Sequence, residues 1–183
     1  FSLLVSGKQS VAWIKSNGFT ELQPHINFPY PSTKEKPISD ISKNMERGEL
    51  LFTEINHGFI NPTADNYAKE INEAVSNRAL WVRKGAPADS YGNAYQVFNE
   101  YLNWVLVEFY YIDYAPKKDL EYLLEANRIY MKDQRGFIMF PEFSVFVDDL
   151  YKNRMPEQTI ADLYPQIIKW FHTQNAKNVT TTP

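Results

Sequence analysis

The pattern of hydrophobic and polar residues changes once along the chain, near residue 38. Before that point, the segments FSLLVSG and QSVAWIK alternate loosely around Gly7 and Lys8, which predicts a short β-hairpin. Residues 16–37 then carry Asn17–Gly18 and several prolines, a composition that excludes a helix and favours a long loop. The prolines are Pro24, Pro29, Pro31 and Pro37.

After residue 38 the apolar residues recur at helical spacing. Ser39 and Ser42 are good helix N-caps, and the first helix should end at Asn61, because the residue before Pro62 disfavours the α-helical conformation. Gly136 is expected to end a later helix. The remaining helices are predicted over about residues 64–82, 91–114, 117–134, 141–153 and 159–176, with a linker at 83–92 and a frayed tail.

These elements predict an α+β fold that is predominantly α. A short β element and a proline-rich loop occupy residues 1–37, and a helical bundle occupies residues 38–177, within a single domain of residues 1–183. A chain of 183 residues is long enough to bury a substantial core. Its 44% hydrophobic and 15% aromatic residues are typical of a globular protein and argue against disorder.

Charge and composition narrow the classes of function. The net charge of -3 gives no support for nucleic-acid binding, which needs a basic surface. The absence of cysteine excludes disulfides and zinc sites built from thiolates. No apolar run reaches the roughly 20 residues that a membrane span requires, so no membrane span is expected. Because Phe1 is not an initiator methionine, we expect a processed chain or a fragment.

The segment LLFTEINHGFINP, residues 50–62, carries the main candidate chemistry. Glu54 and His57 are three positions apart, and a histidine at position 53 would complete H-E-x-x-H, the helical zinc motif of metallopeptidases. In that motif the two histidines share one helix face and bind the metal, while the glutamate activates a water molecule. Thr53 occupies the first ligand position instead, and a catalytic zinc usually needs three protein ligands. A short E-x-x-H match is also common in ordinary helices.

The wider segment TEINHGFINP resembles an uncharacterised bacterial family of zincin-like proteins of the gluzincin type, whose motif reads roughly H-E-F-S-H-S-F-x-N-P. NEYLNWVLVEFYY is similar to the family's later helix, with Glu100 at the ligand position and Trp104 where the family often has arginine. The closing segments RGFIMFPEFSVFVDDLYKNR and TIADLYPQIIKWF are also similar, so the resemblance covers about residues 45–172. The motif residues that match are Glu54, His57, Phe59, Asn61 and Pro62.

The resemblance implies a role for each matching residue. Glu54 would be the general base, and His57 and Glu100 would be metal ligands, with Thr53 at the position of the missing ligand. Zinc would then be the cofactor, held weakly at best. Glu108 is a rival third ligand, because it lies two turns after Glu100 on the same helix face.

Three further points stay open in the sequence. Glu108 stands in an apolar run, where a structural pair with an arginine or a tyrosine is the alternative interpretation. His25 and His172 could each replace the lost ligand, although neither has a spacing that indicates it. The resemblance, together with the start at Phe1, leads us to expect an exported protein, periplasmic or extracellular.

The first functional hypothesis is therefore a degenerate metallopeptidase-like domain, a pseudoenzyme impaired in zinc binding. It would bind a peptide or a protein in a groove between the β element and the motif helix. The alternative is an active zinc metallohydrolase that uses His57, Glu100 and one of Glu108, His25 or His172. The second alternative is a structural helical domain that has no metal site.

Overall fold

The N-terminal part of the described chain is a two-stranded antiparallel hairpin. The computed structural model describes residues 10–26 and 35–179, so the turn predicted at Gly7–Lys8 lies outside the described residues. Strand β1 is Ser10–Ser16 and strand β2 is Phe19–His25, and they are joined at Asn17–Gly18. Both turn residues have positive φ, as tight hairpin turns require.

The sequence prediction of a loop over residues 16–37 was wrong for residues 19–25. The Asn17–Gly18 pair is a hairpin signal, and it outweighs the proline at position 24. Pro24 is opposite Val11 in the sheet. In a sheet of two strands every strand is an edge strand, so a residue without an N–H is tolerated there.

The helical part confirms the α+β, predominantly α fold class. In the described residues it consists of six α-helices joined by short turns and loops. They are α1 Asp40–Asp65, α2 Ala68–Ala74, α3 Ala94–Tyr114, α4 Lys117–Ile129, α5 Phe140–Lys152 and α6 Ile160–Val179. No helix in this described part of the chain combines the length and the apolar character that crossing a membrane would need.

Helix α1 begins where the sequence predicted but ends four residues later than the predicted end at Asn61. The Ser39 side chain accepts a hydrogen bond from the Ser42 backbone N–H, so Ser39 is the N-cap. The predicted end at Asn61 was wrong, because the helix continues through Pro62 to Asp65. Tyrosine hydroxyls from α3 and α6 donate to backbone carbonyls of this last part of α1, which helps to hold the helical path past the proline.

Helix α2 is much shorter than the predicted span of 64–82. Its chain leaves the helix after Ala74, and residues 78–80 form a single 3₁₀ turn. The Arg78 side chain is fixed to the following loop by hydrogen bonds to Asp89 and to the backbone carbonyl of Tyr91. Trp81 is then fully buried. Tertiary contacts therefore override the local helical pattern here.

Helix α3 is the central element of the core. It packs against α1, α2, α4 and α5, and most of its residues are buried. A cluster of aromatic rings surrounds Tyr101 on this helix, whose hydroxyl donates to the backbone carbonyl of Trp81. The other rings of the cluster are Phe137, Phe140, Phe143 and Phe171. A helix buried on most of its surface can hold polar side chains only where partners meet them.

Helix α4 continues into a π-helical turn, Tyr130–Arg135, which ends at Gly136. Gly136 has φ of 89° and accepts a backbone hydrogen bond from Arg83. A Cβ atom at this position would collide with the Cβ of Ala86. The position therefore requires glycine for two independent reasons, and it fixes where the preceding Arg135 projects.

We expect Gly136→Ala to lower the free energy of unfolding by about 2–4 kcal/mol, because a strained positive φ and overpacking add together. Gly48→Ala is the matched control, since Gly48 lies within α1 and a Cβ there would contact nothing within 4 Å. It should be neutral or stabilising by up to about 1 kcal/mol. Urea denaturation of both variants measures the difference. Equal stability of the two variants would contradict the prediction.

Candidate functional site

A polar cavity of about 520 Å³ lies where α1 and α3 meet the loop at residues 87–91 and the π-helical turn. Sites of this size are typical for small-molecule or peptide ligands. Six polar side chains of the cavity carry its chemistry, and they come from three different elements. They are Thr53, Glu54 and His57 from α1, Glu100 and Asn103 from α3, and Arg135 from the π-helical turn.

The structure brings together His57 and Glu100, the two residues matched to ligand positions in the sequence. His57 Nε2 lies 3.4 Å from Glu100 Oε1. Burial opposes protonation of the imidazole, but the hydrogen bond and charge of Glu100 outweigh it and raise the pKa of His57. The close approach expected for these two side chains is present. Their role as metal ligands stays a prediction.

Both ring nitrogens of His57 have polar neighbours. Nδ1 lies 3.3 Å from Asn61 Oδ1, one helical turn later on α1. The Asn103 amide nitrogen lies 3.1 Å from Nε2 and also donates to the Thr53 backbone carbonyl at 3.1 Å. A neutral ring can accept from Asn103 at Nε2, whereas a protonated ring directs its Nε2–H at Glu100. The site thus offers His57 two hydrogen-bonding arrangements that differ by one proton.

Arg135 is the second partner of Glu100. Its guanidinium donates to Glu100 Oε2 at 3.2 Å and to the Tyr91 hydroxyl at 2.7 Å. It also lies 5.3 Å from the ring centroid of Trp104, within the range of a cation–π contact. Burial alone would raise the pKa of Glu100, but His57 and Arg135 together hold it below its ordinary value. Glu100 is therefore an ionised carboxylate whose two oxygens both have partners.

Glu54 differs from Glu100 in having no such partner. Its exposed fraction is 9%, and among the described residues it accepts no hydrogen bond and forms no ion pair. Burial raises the pKa of Glu54, the nearby charge of Glu100 raises it further, and His57 opposes the shift. The cavity therefore holds one carboxylate that has no hydrogen-bond or ion-pair partner among the described residues, although the charge of His57 acts on it.

The residues around His57 do not fit a zinc ion. The Thr53 hydroxyl donates to the Leu50 backbone carbonyl at 2.9 Å, so it is occupied within its own helix. One oxygen of Glu100 is bonded to the Arg135 guanidinium. Within residues 10–26 and 35–179, no three histidine, aspartate or glutamate side chains form a group that could hold a metal ion. A catalytic zinc needs three protein ligands, and the cavity does not offer them.

The other ligand candidates lie away from the cavity. Glu108 is fully buried and pairs with Arg128 at 2.9 Å, and Asn127 donates to its second oxygen. Its role as a rival third ligand is thus not supported, and the alternative interpretation, a structural pair with an arginine, describes it. His172 is exposed on α6, and His25 ends β2. Neither lines the cavity.

Sequence reasoning missed Asn103 and Arg135. Both lie in segments that were compared with the family, but only Glu100 and Trp104 were considered there, and Arg135 is 35 residues from its partner Glu100. One signal for Arg135 was present: Gly136, which was read only as a helix end, also fixes the preceding side chain. No signal in the sequence distinguishes Asn103 from the other asparagines of the chain.

Comparisons with known proteins add no relative to this description. No protein family, no curated protein and no solved structure matches the chain.

Proposed function

We propose that the chain is a metal-independent binding domain for a peptide or protein segment, built on a degenerate metallopeptidase-like site. The observation that carries the proposal is the closed network of His57, Glu100 and Arg135. In this network the positive charge beside Glu100 comes from a guanidinium of the protein itself, whereas the resemblance implies a metal ion beside this carboxylate. The cavity next to the network remains open and polar.

The resemblance to gluzincins fits this network in one further respect. The family often has an arginine at the position of Trp104, and here the Arg135 guanidinium lies over the Trp104 ring. Arg135, which comes from the π-helical turn, thus lies beside the position at which the family often has an arginine. This supports a site in which the charge was retained while the ligand set was lost.

A groove for an extended ligand also needs space beside the hairpin, and the described residues form one that shares no lining residue with the cavity. A second space of about 460 Å³ lies between β1 and the end of α1, and it is lined by Trp13, Asn61 and Tyr95, among others. Asn61 lines this space and is also a neighbour of His57. The groove between the β element and the motif helix is therefore our proposed path for a peptide that reaches the cavity.

The purified protein should contain clearly less than one equivalent of zinc per chain, because no three-ligand group is available to hold it. Elemental analysis after dialysis against metal-free buffer measures this. One full equivalent of tightly held zinc would favour the active metallohydrolase instead. No observation on the described residues currently favours that alternative.

Peptide binding tests the proposal directly. A pool of fluorescently labelled, acetylated hexapeptides should contain members that the protein binds, as measured by anisotropy. Ser90→Trp should weaken binding by about 10-fold or more, because the exposed Ser90 lines the cavity and an indole there would fill it. Ser76→Trp is the matched control, since Ser76 is exposed outside the cavity. A pool with no binder, or equal binding by both variants, would overturn the proposed function.

A further inference from the structure

The charged side chains of the cavity do not all have a partner of opposite charge. Arg135 and His57 are the cationic side chains that line it, and both are paired with Glu100. Arg135 is further enclosed by the rings of Tyr91, Trp104 and Phe137. Glu54 is the carboxylate left over. When the His57 ring is neutral, Arg135 is the one cation among these four side chains and Glu54 and Glu100 are two carboxylates, so together they carry one net negative charge, which attracts a cation rather than an anion.

The side chain of Glu54 is little exposed, but its carboxylate oxygens keep contact with solvent in the cavity. It is about nine-tenths buried, at the wall of the cavity, and no described side chain or backbone N–H donates to it. Incomplete hydration of a carboxylate costs free energy, which is why burial raises the pKa of Glu54. A ligand that brings a positively charged donor into the cavity would remove that cost.

The aromatic walls favour the same kind of ligand. Tyr91, Trp104 and Tyr130 line the cavity together with Glu54, and the rings of Trp104 and Tyr130 are 5.4 Å apart. Aromatic faces attract ammonium and guanidinium groups, and their apolar surface accommodates the alkyl chain that carries such a group. Arg135 already lies over the rings of Tyr91 and Trp104, so the walls contribute mainly apolar surface for the alkyl chain of the ligand, and Glu54 contributes the counter-charge.

We propose that the cavity selects a peptide segment carrying a positively charged nitrogen group, with Glu54 as its counter-charge. The inference rests on the proposed function and specifies its ligand class. Three sources can supply this chemistry: a lysine side chain, an arginine side chain and a free amino terminus. A metal cation is not the occupant proposed, because the search of the described residues finds no group of three histidine, aspartate or glutamate side chains that could hold one.

The experiment compares four labelled tripeptide probes by anisotropy at about pH 7.5, which lies above the ordinary pKa of a carboxyl and of an imidazole and below that of a free amino terminus. Three probes are acetylated and amidated, with lysine, arginine or norleucine between two alanines. The fourth is trialanine amide with a free amino terminus. At least one cationic probe should bind about 10-fold more tightly than the norleucine probe, and the tightest identifies the source.

Variants then assign the selectivity to Glu54. Glu54→Gln keeps the shape of the side chain and removes its charge, so it should abolish the preference for the cationic probe. Glu73→Gln is the matched control, because Glu73 is exposed on α2 and lies outside the cavity. Thermal melting checks that both variants fold. Glu54→Gln removes a poorly solvated charge, so we expect it to fold as well as the wild type.

The outcomes separate this inference from the proposed function. Equal binding of the norleucine and cationic probes would overturn the inference and leave peptide binding intact. A cationic preference that survives in Glu54→Gln would also overturn it, because another group would then be the anchor. If no probe binds and the hexapeptide pool also contains no binder, both the inference and the proposed function fail.

Discussion

Arg128→Met should lower the free energy of unfolding by about 3–5 kcal/mol, the range for removing one partner from a buried ion pair. Arg128 donates to Glu108 at 2.9 Å, to Asp148 at 2.7 Å and to the Ser144 hydroxyl at 2.8 Å. The exposed fractions of Glu108 and Asp148 are 0% and 3%. Methionine has a similar length and no charge, so the two carboxylates would share the interior of the protein without a cation.

Lys117→Met is the matched control for this substitution. Lys117 is an exposed cation at the start of the same helix, α4, and none of the ion pairs among the described residues includes it. Loss of a surface charge of this kind should change stability by less than about 0.5 kcal/mol. Urea denaturation at neutral pH measures both variants. If Arg128→Met is no less stable than Lys117→Met, the ion-pair cluster does not hold α3, α4 and α5 together.

The pH dependence of Arg128→Met provides an independent check on the same cluster. Burial raises the pKa of Glu108 above its ordinary value of 4.5, and Asp148 raises it further, while Arg128 opposes the shift. A carboxyl that binds its proton more tightly in the folded state loses stability as the pH rises above its unfolded pKa. Without Arg128 this loss is larger. The pKa of Glu108 in the wild type is about 8, so the stability gap between wild type and variant should widen as the pH rises through about 8 and stay constant below it for this group.

Thr53→His is expected to increase zinc affinity by about a hundredfold or more, because zinc sites with four ligands reach about 10–16 kcal/mol, or roughly 3 kcal/mol per ligand. Position 53 lines the cavity and lies one helical turn before His57 on the same face. The new imidazole would complete a set of two histidines and Glu100. Glu100 would then have to exchange its Arg135 partner for the metal, which limits the gain.

Thr63→His is the control for Thr53→His. It makes the same change of residue type near the end of α1, at a position that does not line the cavity. Isothermal titration with zinc measures affinity, and a zinc-dependent rise in melting temperature confirms binding to the folded state. If both variants bind zinc equally, residue 53 does not face a residual metal site. The gluzincin resemblance would then describe an ordinary helix.

The sequence predicted the parts of the fold that depend on local rules. The N-cap at Ser39 and the long apolar pattern of α3 follow from residues close to one another in the chain, and both are present. The errors at Pro62 and at the short helix α2 have a different cause. There the local signal competes with tertiary contacts, such as the tyrosine hydroxyls at the end of α1 and the Arg78 contacts.

The candidate site likewise contains residues that the sequence could identify and residues that it could not. His57 and Glu100 were paired because a family motif supplied information about distant segments, which no spacing within one helix provides. Arg135 could not be assigned to Glu100 from the sequence, because its direction depends on the backbone of a π-helical turn and on packing against three rings. The absence of a partner for Glu54 could not be predicted from the sequence either. It depends on where every other hydrogen-bond donor lies in the folded structure.

Because Arg135 ends the π-helical turn at Tyr130–Arg135, the charge of the cavity depends on the number of residues in this turn. A π-helical turn closes its hydrogen bonds over five residues where an α-helix uses four, so it accommodates one additional residue per turn. Loss of a single codon in this stretch would let α4 continue as a regular α-helix and would rotate Arg135 away from Glu100. In the evolution of such a site, the deletion of one residue would therefore remove the internal cation from Glu100 in one step, while every side chain named in the motif remained unchanged.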